Sequence, residues 1–78
     1  MLEKVQATLR EILNRPALEI QLSTVATDVP GWDSLAHLNL VAALEQDLSI
    51  RFALGELRKL QNVGDLVAIL EKKVRKAP

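Results

Sequence analysis

The chain has 78 residues, no cysteine and one histidine, and its ten basic residues balance its ten acidic ones. That allows one domain at most, and it excludes disulfides, thiolate metal ligands and a cysteine nucleophile. It also removes zinc clusters, paired-histidine chemistry and any global charge that would draw the protein to nucleic acid or an anionic membrane. Apolar residues make up 49% but aromatics only 3%, with three Gly and three Pro. Such aliphatic, turn-poor composition favours helices. No apolar run approaches the roughly 18 residues of a membrane span. The N-terminus lacks the basic-then-apolar layout of a signal peptide, so a cytoplasmic, monomeric protein is expected. A chain this small has little room for a substrate cleft of several hundred cubic ångströms, which argues against a free-standing enzyme.

The first predicted helix runs from Leu2 to about Asn14. Leu2, Val5, Leu9, Ile12 and Leu13 fall on one helical face, with Glu3, Lys4, Gln6, Arg10 and Glu11 between them. Pro16 is expected to stop it. Residues 15–32 then form a long connection. Leu18, Ile20, Leu22 and Val25 alternate in part with polar residues, but no second strand pattern exists for them to pair with. An extended loop that tucks these four side chains onto the core is the better reading. Loops of this length are uncommon in small domains and are often functional. It closes in the turn signal Val29-Pro30-Gly31-Trp32.

The second helix is predicted over Ser34–Leu48, with Asp33 as its N-cap. At about 100° per residue, Leu40, Val41, Leu44 and Leu48 share a core-facing arc. Leu35, Leu38 and Ala42 fall on a different arc beside Ser34. A surface helix needs one apolar stripe to fold, so the second stripe needs a reason. Covering by the long loop is one; a docking face is another.

Ile50 and Phe52 anchor a short connector. Residues 53–60 read as a short helix, weakened at Gly55 by about 1 kcal/mol relative to Ala. Asn62 caps a last helix, with Asp65 in the place of a capping-box acid. Val63, Leu66, Val67, Leu70 and Val74 make its core face. Lys72, Lys73, Arg75 and Lys76 form a solvated cationic end that suits the helix dipole. The predicted fold is all-α: a small four-helix bundle of three longer helices and one short helix, with a long loop between helices one and two, spanning 1–78 as a single domain.

The chemistry sits in Gly31-Trp32-Asp33-Ser34-Leu35. A helix N-terminus is a positive pole with free N–H groups, and it favours a phosphate there by about 0.3–1 kcal/mol. A serine hydroxyl in an exposed first turn is a good place for a phosphodiester-linked group. On physics alone, Ser34 could equally be a residue that merely starts a helix. His37 reads as a partly buried neutral side chain, or as a contact to a bound group, and Trp32 as packing for the loop.

Gly-x-Asp-Ser-Leu, followed by an aliphatic helix that ends in Leu44-Glu45, resembles the modification motif of the phosphopantetheine-binding acyl carrier proteins. The first helix, the long loop, the Ile50–Phe52 connector and Val63-Gly64-Asp65-Leu66 also fall where that family has counterparts. The resemblance implies 4′-phosphopantetheine from coenzyme A on Ser34, put there by a phosphopantetheinyl transferase. Asp33 would cap the helix and assist the modification, with Leu35 completing the attachment site. The arm would carry acyl or aminoacyl groups as thioesters, loaded by a ligase and passed to transferases or synthases. Leu35, Leu38, Asn39, Ala42 and Glu45 would form the docking face those partners read. Phe52, Leu54 and Leu57 would line a shelter for a short acyl chain. No metal site, nucleic-acid partner or membrane insertion is implied.

The chain also departs from the family. Ala36 and Asn39 stand where acidic residues are common in carriers of primary fatty-acid synthesis, and Ala42 where a larger apolar residue is common. Asp33, Glu45 and Asp47 leave the second helix only mildly negative. A specialised lipid or secondary-metabolite role is the resulting expectation, with an unmodified helical interaction module as the alternative.

Overall fold

The computed structural model describes residues 1–76; the side chain of Lys76, and with it part of the expected cationic end, lies outside the described residues, as do Ala77 and Pro78. The order is α1 (Leu2–Ile12), a 3₁₀ turn (Ala26–Asp28), α2 (Ser34–Leu48), α3 (Leu54–Arg58) and α4 (Val63–Lys76). No strand occurs among the described residues. The architecture is therefore the all-α bundle expected, with α1 packed against both α2 and α4.

The core is aliphatic. Val5 and Leu9 from α1, Leu40 and Leu44 from α2, and Val63, Leu66 and Leu70 from α4 are sealed from solvent, with Ile20, Val29 and Ile50 from the connections added to them. Burying one such side chain contributes about 1.5–3 kcal/mol, so these few residues dominate the stability of so short a chain. Thr8, a polar residue on the buried face of α1, is accommodated because its hydroxyl donates to the Lys4 carbonyl at 2.8 Å.

α1 ends before Pro16 can act on it. Asn14 takes a left-handed conformation at φ 54°, and the N–H groups of Asn14 and Arg15 return to the carbonyls of Glu11 and Arg10 at 3.3 and 2.9 Å. This is a Schellman ending, which satisfies carbonyls that the helix would otherwise leave open. The chain then doubles back along α1. The Arg10 guanidinium donates to the Leu18 carbonyl at 2.6 Å, and the Gln6 side-chain oxygen accepts the Ile20 N–H at 2.9 Å.

Of the four loop residues expected on the core, Ile20 is buried and Leu18 and Val25 are half-buried, but Leu22 is 53% exposed. Its backbone explains why. The Leu22 carbonyl accepts the Gly64 N–H at 2.7 Å and the Thr24 carbonyl accepts the Val63 N–H at 2.8 Å, which turns the Leu22 side chain outward across the start of α4. Val29 takes the core place instead. Gly31, at φ 92°, closes a turn in which the Trp32 N–H donates to the Val29 carbonyl at 3.1 Å. Pro30 then Gly31 at the two central positions is the type II pattern.

α2 spans the predicted residues, capped by Asp33 and terminated by Ser49 at φ 55°. α3 is shorter than residues 53–60, and the Glu56 carboxylate accepts the Ala53 N–H at its start, at 2.8 Å. At the head of α4, Asn62 accepts the Asp65 N–H at 2.8 Å as expected, but Asp65 reaches past Asn62 to the Gln61 N–H at 3.0 Å. Val74 does not join the core. It lies one turn beyond the buried Leu70 and is 38% exposed. Lys73 departs from the solvated reading too. It bonds to Glu56 at 2.8 Å and sits 5.7 Å above the centre of the Phe52 ring.

Candidate functional site

Ser34 is the first residue of α2 and is exposed. The Val29–Trp32 turn delivers it, and Asp33 fixes the first turn by accepting the Ala36 N–H on Oδ1 at 2.8 Å. The cap thus occupies one free N–H of the helix start and leaves the hydroxyl of Ser34 open. Beside it lies an open cleft of about 540 Å³, larger than the chain length leads one to expect but a solvent-exposed groove and not an enclosed cavity, bounded by the long loop (Ala26, Trp32), the first turns of α2 (Asp33, Ser34, His37, Leu38) and Leu60. A narrow recess of about 50 Å³ shares Ala26, Trp32, His37 and Leu60 with it and is also walled by Leu66 of α4.

Two of the cleft residues are bonded to each other. Trp32 Nε1 donates to His37 Nδ1 at 3.3 Å, and the rings stack with centroids 6.0 Å apart. Partial burial holds the His37 imidazole below its ordinary pKa, because desolvation penalises the imidazolium. Trp32 also packs against the core, so it serves both the loop and the cleft wall.

The second apolar stripe of α2 is uncovered. Leu35 is 67% exposed and Leu38 62%, with Asn39 and Ala42 also exposed along the same helix. The long loop does not cover these leucines. Ala36 is buried and does not belong to the exposed face. Glu45 stands apart from the other docking candidates, since its carboxylate accepts the Phe52 N–H at 2.9 Å. Asp47 pairs with Lys4 at 2.8 Å. All three carboxylates expected to colour this helix, Asp33, Glu45 and Asp47, thus have partners within the chain.

The residues expected to shelter an acyl chain between helix faces lie away from the cleft beside Ser34. Phe52 packs on the core beneath Lys73, Leu54 is 65% exposed, and neither they nor Leu57 border the cleft. Ala26 and Leu60 do border it and are not anticipated from the sequence. They reach the site only through the path of the loop and the end of the α3 segment, and no local pattern marks either one. Among the described residues no group of His, Asp and Glu could hold a metal ion. None of the described helices is long and apolar enough to cross a membrane.

An exposed serine at a helix start, flanked by an open cleft and an uncovered leucine pair, suits a tethered phosphate-linked arm. Comparison with known proteins points the same way. Residues 3–70 match the family model described as a phosphopantetheine attachment site. The chain is 34% identical over 71 residues to the acyl carrier protein of Helicobacter acinonychis, covering 91% of each chain. It is 35% identical over 65 residues to that of Clostridium acetobutylicum, covering 83% of this chain and 84% of the relative. The solution structure of holo acyl carrier protein from Geobacter metallireducens superposes with a TM-score of 0.90 at 40% identity, covering 96% of this chain and 86% of that one. The chain therefore belongs to the phosphopantetheine-attachment family of acyl carrier proteins, which are covalent carriers of 4′-phosphopantetheine and not enzymes.

Proposed function

We propose that Ser34 is the attachment residue, that Asp33 and Leu35 complete its site, and that the carrier serves a specialised lipid or secondary-metabolite pathway. The observation that carries the assignment is the exposed Ser34 hydroxyl at the start of α2, on the rim of the cleft. When bound, 4′-phosphopantetheine supplies a terminal thiol that holds acyl or aminoacyl groups as thioesters.

The chain's own residues hold and present that arm. Asp33 keeps the first turn of α2 in place, so the positive pole of the helix lies against the phosphodiester. Trp32, His37 and Leu60 give the arm a wall to lie along. Leu35 and Leu38, with Asn39 and Ala42, offer an apolar face beside the arm to enzymes that dock briefly and leave, and small exposed apolar patches commonly mark such faces. The partners in this reading are a phosphopantetheinyl transferase, a loading ligase and the downstream transferases or synthases. Catalysis is theirs; the carrier raises the effective concentration of the cargo.

The pathway reading is supported by charge. The net charge is zero, and the three carboxylates of the docking helix are engaged within the chain. Enzymes that dock on a dense acidic helix find little of it here. A dedicated partner set follows, for a single-domain, monomeric, cytoplasmic carrier.

Intact mass after incubation with coenzyme A, Mg²⁺ and a broad-specificity phosphopantetheinyl transferase tests the assignment, with Ser34→Ala alongside. A gain of one phosphopantetheine in the parent and none in the variant is the expected result. An unchanged mass in folded parent protein, or a gain that survives the substitution, would overturn it.

A further inference from the structure

His37 follows Ser34 by three residues, so the two side chains lie on one helical face about a turn apart, and both border the cleft. Its Nδ1 accepts the Trp32 indole N–H. A ring nitrogen that accepts carries no proton, which puts the proton of the neutral imidazole on Nε2. Nε2 has no hydrogen-bond partner among the described residues. Yet no side-chain polar atom among them is both buried and unpartnered. Nε2–H is therefore a free donor in accessible space, oriented by a stacked tryptophan.

What the donor would meet follows from the rest of the lining. The loop contributes Ala26 and Trp32, α2 contributes Asp33, Ser34, His37 and Leu38, the segment after α3 contributes Leu60, Gln61 and Asn62, and α4 contributes Leu66. Asp33 and His37 are the titratable groups in that set, and Asp33 already accepts the Ala36 N–H. Among the described residues no Lys or Arg borders the cleft. Gln61 and Asn62 border the inner recess and not the part of the cleft that includes Ser34, so the side-chain donor about a helical turn from a phosphodiester on Ser34 would be His37.

Resting on the assignment of the arm to Ser34, we infer that His37 is a positioning residue for it: its Nε2–H donates to a phosphodiester oxygen and ties the root of the arm to the cleft wall, with Trp32 holding the tautomer. The arm then leaves Ser34 along the Trp32 and Leu60 side, and the Leu35 side stays clear for docking enzymes.

The test uses the full chain before and after modification, with intact mass establishing one arm. Long-range ¹H–¹⁵N spectra of the imidazole and the ³¹P shift are followed from about pH 5 to 8, the range in which histidine titrates. A phosphodiester gains no proton there, so any ³¹P inflection comes from a neighbour. In the unmodified protein, Nε2 should carry the proton at neutral pH. After modification, the ³¹P signal should inflect at the His37 midpoint, and that midpoint should lie higher than before, because a nearby anion favours the imidazolium. His37→Gln should abolish the inflection. Trp32→Phe, which keeps a ring but removes the donor, should populate the Nδ1–H tautomer and weaken the ³¹P response. A flat ³¹P titration with the His37 midpoint unchanged by the arm would overturn the inference and leave Ser34 as the attachment residue. Failure to gain mass would overturn both.

Discussion

The carboxylate of Glu45, on the last turn of α2, accepts the N–H of Phe52 at 2.9 Å, and its backbone carbonyl accepts the N–H of Ile50 at 3.0 Å. One residue thus holds both ends of the connector between α2 and α3. Hydrogen bonds to a charged group contribute about 1.5–3 kcal/mol, so Glu45→Ala should lower the unfolding free energy by an amount of that order, read from urea titration. Glu45→Gln retains a carbonyl acceptor and should lose less. A residue that acted only in docking would leave the midpoint where it was.

Glu56 links the short helix to the last one. Its pKa is lowered first by the hydrogen bond from Lys73 and next by the Ala53 N–H. A carboxylate with a lower pKa folded than unfolded stabilises the fold above its unfolded pKa, and that stabilisation is lost as pH falls through the folded value. Lys73→Met should raise the Glu56 midpoint toward the ordinary glutamate range, measured from the carboxyl ¹³C shift. The same substitution should flatten the acid limb of the stability profile.

The aliphatic periodicity of α2 carries most of what can be read from the chain alone. Its bounds, its Asp33 cap and the burial of Leu40, Val41 and Leu44 all follow from 3.6-residue spacing and one side chain. Ser34 and its two exposed leucines were visible for the same reason, as a stripe the core did not need. Long-range backbone bonds were not visible. Leu22 looks like a core residue in the alternation of the loop, and only the Gly64 N–H on its carbonyl turns its side chain out. The Asn14 ending of α1 was masked by the stronger signal of Pro16 two residues later. The cleft depends on where the loop and Leu60 come to lie, which no local pattern encodes.

Two glycines in helices should respond oppositely to alanine. At Gly55 a Cβ meets nothing within 4 Å, so Gly55→Ala should stabilise α3 by up to about 1 kcal/mol through helix propensity. At Gly64 a Cβ would lie 3.0 Å from the Leu22 carbonyl oxygen and 3.2 Å from Asn62 Oδ1. The first accepts the Gly64 N–H and the second caps Asp65, so neither can move without losing its bond. Gly64→Ala should destabilise by about 1–3 kcal/mol, as overpacking does. Paired thermal melts check both signs.

Leu35 and Leu38 should separate folding from docking. Both are exposed, so alanine at either should leave unfolding within about 0.5 kcal/mol of the parent. If they are docking anchors, each loss should cost about 1–2 kcal/mol of partner association, roughly a five- to thirtyfold drop in kcat/KM for modification by the transferase. Steady-state kinetics on the folded variants measures that drop. An unchanged kcat/KM for both would remove this face from the transferase interface.

The bonds from Val63 and Gly64 to the carbonyls of Thr24 and Leu22 make the long loop the N-terminal clasp of α4. The wall of the cleft that includes Ala26 and the helix that carries Leu66 and Leu70 are thereby one mechanical unit. Swinging the loop away would leave two amides at the head of α4 without acceptors at once, so widening the mouth of the cleft is coupled to exposing the start of the last helix. The amide-exchange rates of residues 63 and 64 are accordingly a direct gauge of how often that mouth opens.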